Sequence, residues 1–231
     1  MSENDYQILP ENIKEPDCSF KIIIIGDSSV GKSSLALRGT KDKYKDFYTP
    51  TIGFEFLSLN IRIKKKIIKL QIWDTCGQEI YRSLISSFYR NSTLAIIVYA
   101  INDINSFENV ESWLDEIKCQ TNPNLKFILI GNKLDLEEER VIQKDRAEKF
   151  CRDHNLDYFM ETSAKTGVNT QLIFIKAAQI LYDEYLQYSE KEEANKNGNK
   201  SKYSFSLSSN YTENDNDKYK DDSQRRKECH C

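Results

Sequence analysis

IIIIGDSSVGKSS, residues 22–34, is the stretch whose reading decides the fold. Four consecutive isoleucines make a greasy strand that ends abruptly in small, hydroxyl-bearing residues and a lone lysine. The run stops at Gly26, and Gly31-Lys32-Ser33 follows five residues later. Gly26 to Ser33 thus fits G-x-x-x-x-G-K-[ST], a loop whose glycines let successive backbone N–H groups turn inward onto anionic oxygens. A helix opening near Lys32 adds its positive end, Lys32 a point charge, and Ser33 a hydroxyl able to ligate Mg2+. Ser28, Ser29, Val30, Gly31, Lys32, Ser33 and Ser34 are the candidate phosphate contacts. A chance match in a helix-capping loop is on the order of one per cent in a chain of this length.

The rest of the composition narrows the class. With 231 residues the chain can bury one substantial core and carry appendages. Its net charge of −3 supplies no basic footprint, so nucleic acid is not an expected partner. Apolar runs are strand-sized rather than membrane-spanning, and the opening MSENDYQILPENIKEP is too polar and acidic for a signal peptide. Cysteines 18, 76, 119, 151, 229 and 231 have no disulfide-framework spacing and read as reduced cytosolic thiols.

Along the chain, β-branched runs alternate with amphipathic stretches. Strands are expected at Phe20–Ile25, Phe54–Ile63, Ile67–Trp73, Leu94–Ala100, Lys126–Ile130 and Tyr158–Glu161, and helices at Lys32–Leu37, Ser106–Gln120, Gln143–His154 and Asn169–Leu186. Lys64-Lys65-Lys66 leaves no room for a crossover, so its two flanking strands form an antiparallel hairpin. The expectation is an α/β P-loop NTPase three-layer fold: a six-stranded, mostly parallel sheet with one antiparallel edge strand and helices on both faces. Three regions follow: a flexible lead-in at 1–18, a domain at 19–187, and a disordered tail at 188–231, where Lys, Glu, Asn, Ser and Asp replace large apolar residues.

Two further stretches specify the ligand. KFILI runs into Gly131-Asn132-Lys133-Leu134-Asp135. A carboxylate such as Asp135 accepts side by side from the ring N–H and exocyclic amine of guanine, a donor pair that adenine lacks. Asn132 and Lys133 then brace the loop, although Asn-Lys-x-Asp by itself also suits a solvated turn. After the next strand, the loop containing Ser163, Ala164 and Lys165 offers backbone N–H groups to the base carbonyl. Trp73-Asp74-Thr75-Cys76-Gly77-Gln78 closes the hairpin. Asp74 is placed to hold Mg2+ through water, Gly77 to approach a γ-phosphate, and Gln78 to orient an attacking water. Thr51 adds a second hydroxyl to the metal. Loops ordered by a γ-phosphate act as switches.

From Phe20 to Leu186 these residues resemble a Ras-superfamily small GTPase, and within it the Rab family. The Rab-like stretches are Ile52-Gly53-Phe54-Glu55-Phe56, Lys69-Leu70-Gln71-Ile72-Trp73, Tyr81-Arg82-Ser83-Leu84 and Phe88-Tyr89-Arg90. The resemblance implies that Tyr44 packs on guanine, that Tyr48 covers the phosphates, and that effectors read Phe56, Trp73 and Phe88. Ordinary sheet packing is the competing reading for those aromatics. It also implies slow intrinsic hydrolysis of GTP to GDP and phosphate, accelerated by a GTPase-activating protein. The expected partners are an exchange factor, a GDP-dissociation inhibitor, an escort protein, a prenyltransferase and effectors. Departures from the family pattern are Cys76 for alanine, Gly39 for a bulky residue near the first switch, Ile80 for arginine, and Ala100 for an acidic residue.

Cys229-His230-Cys231 resembles the doubly geranylgeranylated ends of Rab proteins and is not a C-a-a-X pattern. Two lipids anchor stably where one holds reversibly, so the expected location is the cytoplasmic face of an intracellular membrane, with a cytosolic pool. A metal site and an unmodified tail are the competing readings of these cysteines. For function, a membrane-recruited trafficking GTPase leads. A GTP-binding scaffold with very weak hydrolysis, a Ras-type signalling GTPase and an ATP-using enzyme remain open.

Overall fold

A computed structural model describes residues 6–13, 15–44, 54–75 and 89–196. The four isoleucines lie in β2 (Cys18–Ile25), wholly shielded from solvent and sorted by parity onto two faces. Ile22 and Ile24 pack with Leu35 of α1 (Lys32–Lys41) and with Ile173, Phe174 and Leu181 of α5 (Thr170–Lys196). Ile23 and Ile25 pack with Phe107 of α2 (Ile104–Glu108), Trp113 and Ile117 of α3 (Val110–Gln120), and Cys151 of α4 (Lys144–Asp153). One strand thereby carries both cores, which is why its sequence shows no alternation.

The sheet has seven strands rather than the six expected. Its order is β1 (Tyr6–Leu9), β3 (Phe54–Ile63), β4 (Lys66–Thr75), β2, β5 (Leu94–Ala100), β6 (Lys126–Asn132) and β7 (Tyr158–Glu161). Pairings from β4 through β7 are parallel, and β3 runs antiparallel to β4 through the Lys64–Lys65 turn. The antiparallel strand is not the edge. β1 lies outside it in antiparallel register, with Ile8 opposite Ile61 and Leu9 opposite Asn60.

The lead-in expected to be flexible therefore contributes an edge strand. Leu9 is buried, and the buried Asn60 side chain donates to the Pro10 and Glu11 carbonyls at 2.8 and 3.2 Å. Composition concealed this because two apolar residues in a polar segment are enough for a four-residue edge strand. The other correction is at the far end: α5 continues to Lys196, past the expected boundary at 187–188. Its last core-packed residues are Tyr185 and Leu186. Helix propensity of the Glu/Lys/Ala run carries the rest. No helix among the described residues is long and apolar enough to cross a membrane.

Gly39 sits inside α1 and is buried, rather than lying in a switch loop. A Cβ there would collide with the Phe174 ring and approach the Thr170 carbonyl at 2.5 Å, so glycine allows α1 and α5 to touch. Gly39→Leu is expected to lower the melting temperature by roughly 2–10 °C, following an overpacking cost of about 1–3 kcal/mol. Thermal unfolding of the purified protein measures it, and an unchanged midpoint contradicts this packing.

Candidate functional site

The loop between β2 and α1 is held in a shape few side chains permit. Gly26 has φ 137°, and a Cβ on it would strike the Val98 carbonyl of β5. Ser29 (φ 62°) and Gly31 (φ 96°) also adopt left-handed backbone, and the Asn132 side chain occupies the space a Gly31 Cβ would need. At the start of α1 the N-cap residue is Gly31, which has no side chain to cap the first turn, and no acidic residue stands there. These N–H groups and the helix dipole make a cradle for an anion. Lys32 is buried and folds back across the loop, donating from Nζ to the Gly26 and Asp27 carbonyls at 2.9 and 2.6 Å. Ser28 and Ser29 are exposed, Val30 is buried, and Ser33 and Ser34 are half-buried.

Asp74, near the end of β4, is fully buried beside this loop. Burial raises its carboxyl to about 6; the Ser33 hydroxyl and the Lys32 charge oppose the rise, while Glu55 adds to it. Neither carboxylate oxygen meets hydrogen-bond geometry with a described residue. Two orphaned carboxylate oxygens next to a serine hydroxyl form a hard-oxygen donor set, which fits Mg2+. Among the described residues no cluster of three His, Cys, Asp or Glu side chains offers an alternative metal site.

Asn132, the last residue of β6, connects three loops. Its Nδ2 donates to the Val30 carbonyl at 2.9 Å, and its Oδ1 accepts from Thr162 Oγ1 at 3.0 Å and the Ala164 N–H at 3.3 Å. The Ala164 N–H is thus directed at Asn132. Lys133 follows in left-handed backbone (φ 68°) and starts the 3-10 turn Leu134–Glu139. That turn presents Asp135 exposed, with Oδ1 accepting from Ser163 Oγ at 2.5 Å. Ser163 is buried and Lys165 exposed. The turn is braced from below: Arg140 makes ion pairs with Glu137 and Glu161, both at 2.6 Å. Sequence reading missed Arg140, whose partners lie on two different elements.

On the outer side, Phe56 and Trp73 stand opposite each other across β3 and β4 with ring centroids 5.4 Å apart, and Phe54 joins them at 5.1 Å from Trp73. Phe56 is 49% exposed, so it is no part of the core. The Lys21 ammonium lies 4.9 Å from the Trp73 ring centroid. Tyr44 is half-buried just beyond α1. Tyr48, Thr51, Cys76, Gly77, Gln78, Ile80, Phe88, Cys229 and Cys231 lie outside the described residues. Ala100, at the end of β5, is buried and donates its N–H to Ser106 Oγ at 3.0 Å.

A family model described as the Ras family matches residues 21–183. Among curated proteins, GTP-binding protein YPTM1 of Zea mays is 45% identical over 161 residues, covering 70% of this chain and 77% of that protein.

Asn132→Ala removes three hydrogen bonds in a buried network, so GDP dissociation is expected to accelerate about tenfold or more. Fluorescent-GDP release reads this, and an unchanged rate contradicts the bridging role. Asp74→Asn removes a buried charge, so in EDTA and without nucleotide it is expected to raise the melting temperature while abolishing Mg2+-dependent slowing of nucleotide release. A variant that melts lower in EDTA and keeps the Mg2+ effect runs against this assignment.

Proposed function

The chain belongs to the Ras family of small GTPases, on its Rab branch, and from that premise we propose that the cradle at Gly26–Ser34 and the turn at Asn132–Asp135 hold one GTP molecule between them. The observation that carries this reading is Asn132, which joins a phosphate-type loop to a turn presenting a carboxylate. The protein is a GTP-hydrolysing switch of the vesicle-trafficking class.

The loop N–H groups, Ser28 to Ser34 and Lys32 meet the phosphates. Asp135 accepts from the guanine ring N–H and amine, Lys133 and Tyr44 flank the base, and Ser163, Ala164 and Lys165 close its far side. Ser33, Thr51 and Asp74 would hold Mg2+, whose chemistry is to neutralise charge gathering on the transferred phosphoryl group. Tyr48 covers the phosphates and Gly77 approaches the terminal one. Gln78 orients the water whose oxygen bonds to the γ-phosphorus as the β–γ bridging oxygen departs with GDP. A water-positioning glutamine without a described arginine at the phosphates suits slow intrinsic turnover, raised by an activating protein.

Exposed Phe54 and Phe56 with half-buried Trp73, and Phe88 with them in function, are the proposed effector surface, presented when the γ-phosphate orders the flanking segments. Cys229 and Cys231 are the proposed prenylation sites, with the segment after Lys196 as tether to a cytoplasmic membrane face. An exchange factor, a GDP-dissociation inhibitor, and an escort protein with its prenyltransferase complete the cycle.

Calorimetry is expected to show GTP binding with Mg2+ at least about 10³-fold tighter than ATP, because the adenine amine and ring nitrogen mismatch Asp135. Equal affinities refute the assignment. In single-turnover assays Gln78→Leu is expected to hydrolyse at least about tenfold slower than wild type. Equal rates, with an activating protein present, remove Gln78 from the mechanism.

A further inference from the structure

The second residue of the phosphate cradle is an aspartate, and a negative charge there opposes the ligand the cradle is built to hold. The structure shows where that charge goes. Asp27 Oδ1 accepts from Trp113 Nε1 at 2.7 Å and Oδ2 from Asn109 Nδ2 at 2.7 Å. Asn109 sits at the junction of α2 and α3, and Trp113 lies four residues further on. Spacing of one helical turn puts both donors on the same face. Asn109 is fixed in turn: its N–H donates to Asn105 O and its carbonyl accepts from Trp113 N at 3.1 Å. Trp113 is 1% exposed, in the core beneath β2 and β5. Its indole N–H is donor-only and needs an acceptor when buried.

The other face of the same residue serves the site directly, because the Asp27 carbonyl accepts from Lys32 Nζ at 2.6 Å. Side chain and main chain of Asp27 therefore point to opposite partners, the helices and the phosphate lysine. Gripping the carboxylate turns its charge from the cradle and fixes the peptide plane that Lys32 grips.

We propose that Asp27 is a positioning residue for nucleotide binding, whose carboxylate, held by Trp113 and Asn109, sets the phosphate loop and couples it to the α2–α3 junction. It rests on the GTP reading above, and two different quantities test the two ideas. Retention of guanine nucleotide by the wild-type full chain tests the reading. Ratios of variant to wild-type dissociation rates test the grip.

Trp113→Phe keeps most of the buried volume and deletes the donor. Release of fluorescent GDP and of a fluorescent non-hydrolysable GTP analogue is expected to accelerate about tenfold. Asn109→Asp sets two carboxylates face to face and is expected to accelerate release at least as much. The exchanged pair, Asp27→Asn with Asn109→Asp, restores one carboxylate, one amide and the Trp113 acceptor. It is expected to return release to within about threefold of wild type. That rescue distinguishes positioning from loss of stability. The proposal is overturned if Trp113→Phe lowers the melting temperature with both release rates unchanged, or if the exchanged pair releases nucleotide as fast as Asn109→Asp alone. Should Trp113→Phe fail to fold, the Asn109 series decides alone.

Discussion

One buried carboxamide links the segments proposed to hold nucleotide. Asn132 holds the Val30 carbonyl on one side and Thr162 and Ala164 on the other, so the loops after β2, β6 and β7 cannot move independently. An amide suits this position because it donates and accepts at once, and because it is 1% exposed no water competes for it. Its close fit against Gly31 explains why the loop needs glycine there. The Asn132–Asp135 turn and the Gly26–Ser34 loop come from sequences about a hundred residues apart, and this contact fixes their spacing.

Beneath it, the sheet supplies rigidity. Each isoleucine of β2 is committed to one of two cores, so the strand end that launches the Gly26–Ser34 loop is fixed from both faces. Against this apolar background Asp74 is a liability: burial alone pushes its carboxyl toward the neutral form, and nearby Lys32 offsets this only in part. A divalent cation would relieve the cost, and binding it would then couple metal to fold at this point. Function sits where the sequence accepts an unfavourable local choice.

Much of this was legible beforehand because it rests on local signals. The isoleucine run, the glycine-lysine-serine loop and the lysine turn each announce a conformation within about ten residues. What escaped depended on distant partners. Tyr6–Leu9 becomes a strand only because the edge of β3 is free to receive it. Gly39 reads as an oddity until Phe174, far along the chain, is seen pressing on it. Asp27 passes as a filler position in its motif, and only the fold brings Asn109 and Trp113 to it. Arg140 likewise gains meaning from Glu161. Single-sequence patterns report what a residue prefers, whereas these residues are defined by what reaches them.

The first strand carries a consequence for how the molecule is made. The β3–β4 hairpin closes over a two-residue turn, but β1 must find Asn60–Ile63 across fifty intervening residues. Loop-closure entropy sets that pairing after the hairpin. On a ribosome, β1 emerges before its partner and is therefore among the last to settle: it waits for the hairpin to leave the exit tunnel. A short edge strand added so late is also the natural place for the finished domain to fray, so its amides should trade hydrogen for deuterium well before those of the isoleucine strand.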